Sequence, residues 1–194
     1  MPSVFDRYAK NVISLAGGMQ WGAVEELSKM LLAAWEGNRQ VFLCGNGGSA
    51  ANAMHLANDY LYGIGTVNSP GLRVEALSAN PSVLTCLGND LGYDQIFSEQ
   101  LRVKGRPEDI LVVFSGSGNS PNVIRALEMG NELEMKTCAI LGFSGGQCID
   151  LAQLVIHIKI DDMQIAEDFQ LIVGHMCMRW LCESIRSQEV GQDT

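Results

Sequence analysis

Short continuous apolar runs alternate with stretches of helical spacing along most of this chain, and that alternation predicts the fold. Over roughly residues 4–36 the apolar positions keep a helical period with few breakers, interrupted at Gly17-Gly18, which predicts two leading helices. The period then changes. Val41-Phe42-Leu43-Cys44 reads as a buried strand that runs into Gly45-Asn46-Gly47-Gly48-Ser49 and a helix through about Tyr60. A second strand, Arg73–Leu77, precedes helical segments around Pro81–Gly88 and Tyr93–Val103. The third, Ile110–Phe114, delivers the loop Ser115-Gly116-Ser117-Gly118-Asn119-Ser120 to a helix reaching about Leu133. Thr137–Gly142 and Leu154–Ile158 are the fourth and fifth strands, and a long amphipathic helix from about Met163 to Ser187 closes the pattern. Short apolar strands alternating with helices predict an α/β protein with a parallel sheet covered on both faces. No linker, repeat or low-complexity segment interrupts it, so the expectation is one domain over 1–194, with helices to about residue 36 and an α/β core beyond.

Composition narrows the ligand classes. The chain of 194 residues is 47% hydrophobic, enough for one sizeable core. A formal net charge of −9, from 13 Lys+Arg against 22 Asp+Glu, argues against direct binding of nucleic acid. No apolar stretch approaches the 18 or so residues of a membrane span. The N-terminus lacks a basic region followed by an apolar core, so a cytoplasmic protein is expected. Six cysteines, with no C-x-x-C pair, fit buried thiols in a reducing compartment better than a redox or metal site.

The candidate chemistry sits in the loops. In a parallel α/β sheet, ligands bind beyond the carboxyl ends of the strands, where the loops after strands one and three arrive. Both loops combine glycine with serine. Ser49, Ser115, Ser117 and Ser120, with the unpaired N–H groups of the following helices, could converge on one phosphate. The bland alternative is two tight turns with serine helix caps. Neither loop matches a nucleotide-phosphate signature, so no nucleotide cofactor is expected. On the helix after the first loop, His55 and Asp59 stand four apart and share a face, a spacing suited to a metal, to a base beside an imidazole, or to a surface ion pair. The last helix carries Glu167, Asp168 and His175 in otherwise apolar surroundings. Glu167 and His175 are separated by a rise of about 12 Å and a rotation of roughly 80°, too far to meet easily at one ion. His157 reads as a packed strand residue, and Asn89-Asp90 as a turn that either faces the pocket or does not.

Taken together, Cys44-Gly45-Asn46-Gly47-Gly48-Ser49, Ala53-Met54-His55, Gly88-Asn89-Asp90, Phe97-Ser98, Ser115 to Ile124 and the Glu167 to His175 segment resemble the sugar-isomerase (SIS) domain family, in particular its phosphoheptose isomerases. The resemblance implies a flavodoxin-like three-layer α-β-α sandwich with a five-stranded parallel sheet, assembled as a homotetramer with active sites at subunit interfaces. It implies a sugar-phosphate substrate, held through Asn46, Gly47, Ser49, Asp90, Ser115, Gly116, Ser117, Ser120 and Glu167. It also implies isomerisation of sedoheptulose 7-phosphate through an enediol, with Asp59 and His175 as the acid/base pair. Zinc, where members bind it, would be held by the positions of His55, Asp59, Glu167 and His175. Asp59 stands where the family has glutamate, Glu167 where it has glutamine and Gly116 where it has threonine, and an arginine is missing near Gly63. The alternative is a noncatalytic SIS adaptor or regulator that binds a sugar phosphate or a replication-initiator protein; retention of Asp59 and His175 favours the enzyme.

Overall fold

A computed structural model describes residues 1–65 and 69–192 of the chain. Two helices lead, α1 (Val4–Gly18) and α2 (Gly22–Glu36), split at the expected glycine pair. A reciprocal capping box starts α1, with the Asp6 N–H donating to Ser3 Oγ at 3.1 Å and the Ser3 N–H donating back to Asp6 Oδ2 at 3.0 Å. Five strands follow: β1 (Val41–Gly45), β2 (Val74–Ala76), β3 (Ile110–Ser115), β4 (Lys136–Leu141) and β5 (Leu154–His157). All are parallel, in the order β2-β1-β3-β4-β5.

Both faces of the sheet are covered, and for that reason the strands are continuous apolar runs. Val41, Leu43, Ile110, Val112 and Phe114 face one core layer, with α2, α3 (Gly47–Asn58) and the final helix α8 (Met163–Gln192). Phe42, Cys44, Leu111 and Val113 face the other, under α5 (Ser98–Lys104) and α6 (Pro121–Glu132). On α8 the stripe Phe169, Val173, Cys177, Leu181 and Ile185 is fully buried at a four-residue spacing, which keeps one side of the helix on the core. The six cysteines are free, and Cys44, Cys138, Cys148 and Cys177 are buried, as small core hydrophobes.

The segment after β2 divides into more pieces than its apolar period suggests. Helix α4 (Pro81–Asp90), capped by Asn80, ends before a short 3₁₀ turn at Tyr93–Gln95, and α5 begins only at Ser98. A one-turn helix, α7 (Cys148–Leu151), fills the connection from β4 to β5. Helix α3 does not simply stop near Tyr60; it widens into a π-helical turn at Asp59–Gly63. Turns of that kind concentrate at functional sites.

Candidate active site

The strand order reverses direction between β1 and β3, so their carboxyl ends open a crevice at the sheet edge. The two glycine-serine loops line it. Asn46, Ser49, Phe114, Ser115, Gly116, Ser117, Ser120, Met163 and Glu167 enclose a cavity of about 120 Å³, the scale of a phosphate group and not of a whole sugar. Its hydroxyls are prepared to donate. Ser115 Oγ accepts the Gly118 N–H at 3.0 Å and Ser117 Oγ accepts the Asn119 N–H at 3.2 Å, which uses oxygen lone pairs and leaves each O–H hydrogen available. Ser120 occupies the N-cap position of α6 yet makes no capping bond with its side chain. The N-terminal N–H groups of α3 and α6 add their positive ends.

Hydrogen bonds from the backbone of the next loop brace this cradle. The Cys148 N–H donates to Gly118 O at 3.0 Å, and the Gln147 N–H donates to Asn119 Oδ1 at 3.0 Å. Gly118 has φ +65°, and a Cβ there would lie 2.0 Å from Gly145 O. Opposite, the missing side chain of Gly116 leaves room that Met163 fills; a Cβ at Gly116 would lie 2.4 Å from its sulfur.

A paired amide joins the two loops. Asn46 Nδ2 donates to Asn122 Oδ1 and Asn122 Nδ2 donates to Asn46 Oδ1, both at 2.8 Å, with the Tyr93 hydroxyl donating to Asn46 Oδ1 at 3.0 Å. Asn122 and Tyr93 escaped the sequence reading. The legible signal for Asn122 was its place directly after the Ser120-Pro121 helix start; Tyr93 reaches Asn46 only through the chain reversal at Gly92, which has φ +106°. Asn122→Asp keeps the shape, but the new carboxylate cannot donate to Asn46, which lines the cavity, and places a buried negative charge beside it. Its affinity for inorganic phosphate, measured by calorimetry, is expected to fall about tenfold or more.

On the α3–α8 seam, three titratable side chains converge. His55 Nε2 lies 3.0 Å from His175 Nε2, and Asp59 Oδ2 lies 3.4 Å from the first and 3.3 Å from the second. Asp59 is largely sheltered, its side chain 19% exposed, while the imidazoles are about half exposed at 50% and 45%. The donor set fits a divalent transition metal: two imidazole nitrogens and a carboxylate oxygen all lie within 4.8 Å of one another. Ligand atoms of a tetrahedral zinc ion sit roughly 3.3–3.4 Å apart, close to the separations found. Position along α3 accounts for the grouping, since His55 and Asp59 are one turn apart and the π-helical turn begins at Asp59.

Glu167 lies at the cavity and not with the trio, and Asp90 lies away from both. Glu167 does not join the trio as a fourth ligand. Its carboxylate lies over Gly48, where a Cβ would come within 2.2 Å of Oε2, and it walls the phosphate cavity. The rise along α8 separates it from His175, and the positive N-terminal end of α3 favours a carboxylate where it sits. Asp90 is exposed at the end of α4, where its carboxylate accepts the Asn89 side-chain N–H at 2.7 Å and does not line the cradle. Gly47 is the first residue of α3, with φ +54°. His157 is a half-buried strand residue with Nε2 2.9 Å from Phe143 O, the packed role its pattern suggested.

Comparison with known proteins agrees with this geometry. Residues 5–142 match the SIS domain family. A phosphoheptose isomerase of Chlorobaculum parvum is 40% identical over 166 residues, covering 84% of this chain and 78% of that protein. One from Akkermansia muciniphila is 35% identical over 170 residues, covering 88% and 87%. The solved structure of a phosphoheptose isomerase from Francisella tularensis superposes with a TM-score of 0.84 at 26% identity, over 94% of this chain and 100% of that one. The five-stranded sheet, the serine cradle at its reversal point and these relatives establish that the chain belongs to the SIS domain family, in its phosphoheptose isomerase group.

Proposed function

We propose that this protein is an aldose–ketose isomerase that converts sedoheptulose 7-phosphate to D-glycero-D-manno-heptopyranose 7-phosphate, or a stereoisomer, through an enediol. The observation that carries the proposal is the pairing of a phosphate-sized cradle at the N-terminus of α3 with a separate carboxylate–imidazole group where the other end of α3 meets α8. Ser49 and His55 are six residues apart, a rise of about 9 Å. An open seven-carbon chain spans a comparable distance, roughly 8 Å from C1 to C7 at about 1.25 Å of advance per bond. The phosphate end therefore anchors in the cradle while C1 and C2 reach the level of His55, whose Nε2 lies 3.4 Å from Asp59 Oδ2.

Asp59 takes a proton from C1 of the ketose, can exchange it with solvent while the enediol persists, and gives a proton to C2 as the aldose forms. His175 moves a proton at the carbonyl oxygens, which exchange hydroxyl and carbonyl character as the enediol forms and collapses. The anchored tail makes the small proton shift effectively intramolecular. Glu167, on the cradle wall, accepts hydrogen bonds from hydroxyls of the sugar chain. His55, Asp59 and His175 would hold a zinc ion, which supplies polarisation of the carbonyl oxygen when bound.

The same reading includes a homotetramer with sites at subunit faces and a cytoplasmic location. Support for the assembly comes from the exposed apolar residues beside the trio, Met54, Leu61, Tyr62 and Met176. Among the described residues no helix is long and apolar enough to cross a membrane. Incubation with sedoheptulose 7-phosphate, with added zinc and with chelator, followed by product analysis, tests the activity. An aldoheptose 7-phosphate is the expected product, faster with zinc than with chelator. No conversion under either condition would overturn the reading.

A further inference from the structure

Where α3 meets α8, the residues that seat one helix on the other are the sequence neighbours of the residues that carry the chemistry. Leu56 follows His55, Tyr60 follows Asp59, and Gly174 precedes His175. Leu56 and Tyr60 are buried. A Cβ on Gly174 would lie 2.4 Å from both Leu56 methyl carbons, so the two helices pack closely here and any larger residue would displace the buried Leu56 side chain. Tyr60 then spans the seam, and its hydroxyl donates to Gly174 O at 2.9 Å.

The bond falls at the π-helical turn. Asp59 and Tyr60 open the π-helical turn, whose hydrogen-bond ladder departs from the regular α-helical pattern of α3. The Asp59 N–H still bonds back to His55 O and Leu56 O, so the change in the ladder begins at the residue that carries the carboxylate. Tyr60 fastens the turn to the carbonyl of the residue next to His175.

We propose that Tyr60 is a positioning residue whose bond to Gly174 O fixes the separation of Asp59 from His175. The hydroxyl touches no reacting atom. Its effect passes through the turn to Asp59 on one side and through the α8 backbone to His175 on the other. The inference deepens the isomerase reading and rests on it for the meaning of that separation.

Tyr60→Phe removes the hydroxyl and keeps the ring. Against wild type, kcat for sedoheptulose 7-phosphate is expected to fall about tenfold and zinc affinity by a similar factor, with KM within about twofold because the cradle is untouched. Leu181→Val, a buried α8 change away from the site, serves as the stability control. It is expected to lower the thermal midpoint and leave kcat and zinc affinity near wild type. Crystal structures of wild type and Tyr60→Phe complete the test, and the Asp59 Oδ2 to His175 Nε2 separation, 3.3 Å here, is expected to widen in the variant. An unchanged separation with unchanged kcat and zinc affinity, or a loss of stability alone as in Leu181→Val, would overturn the role of Tyr60. A wild type that converts no heptose phosphate defeats the isomerase reading, while zinc affinity and the crystallographic separation still decide on Tyr60.

Discussion

Asp59→Asn is expected to lower kcat by roughly 10²–10⁴-fold, the range for losing a positioned general base. The substituted amide has nearly the same shape and can still meet His55 and His175, so the seam should hold. What it cannot do is accept the C1 proton. Because the proposed phosphate cradle, lined by Ser49, Ser115, Ser117 and Ser120, does not include Asp59, affinity for inorganic phosphate should stay within about twofold of wild type, as expected when an interaction specific to the transition state is removed. Steady-state kinetics together with phosphate calorimetry separates the two effects. Asp59→Glu keeps a carboxylate but carries it about one methylene further toward the imidazoles, and should fall between wild type and the amide. Turnover retained by Asp59→Asn would remove Asp59 from the base role.

Gly118→Ala should be the most damaging single change in the cradle. Alanine at φ +65° costs about 1–2 kcal/mol in backbone strain alone. Its Cβ would also lie 2.0 Å from Gly145 O, a backbone atom that moves only if the whole loop after β4 moves. A total loss of about 3 kcal/mol or more in unfolding free energy is expected, together with loss of phosphate binding. Gly47→Ala is the matched control. Its φ of +54° imposes a similar strain, but nothing lies within 4 Å of the added carbon. Denaturant melts should therefore show a loss of only about 1–2 kcal/mol for Gly47→Ala. Equal losses for the two variants would show that the contact between the loops after β3 and β4 does not brace the cradle.

Much of this arrangement is legible in the chain because it rests on local patterns. Strands buried on both faces must be apolar at every position, so Val41–Cys44 and Ile110–Phe114 stand out without tertiary information. Loops that approach a phosphate need glycine and hydroxyls, so Ser49 and Ser115–Ser120 identify themselves. The one-turn spacing of His55 and Asp59 likewise survives into the structure. The π-helical turn at Asp59–Gly63 was not legible, since a shift in backbone hydrogen bonding leaves no clear side-chain signature. Nor was the Asn46–Asn122 pair, whose partners lie 76 positions apart and meet only because β1 and β3 are neighbours. Glu167 shows the same limit from the other direction. Helical rise could separate it from His175, but its place over Gly48 depends on how α8 crosses the N-terminus of α3.

The most direct measurement of the central claim is the fate of the C1 hydrogen during turnover. Sedoheptulose 7-phosphate deuterated at C1 is converted in ordinary water, and the label at C2 of the aldoheptose product is read by mass spectrometry and NMR. Proton transfer through Asp59, in a site whose imidazoles are about half exposed, predicts that solvent hydrogen replaces much of the label at C2. Complete transfer of deuterium from C1 to C2 at the wild-type rate in both wild type and Asp59→Asn would contradict it, as would label loss and product formation continuing at the wild-type rate in Asp59→Asn.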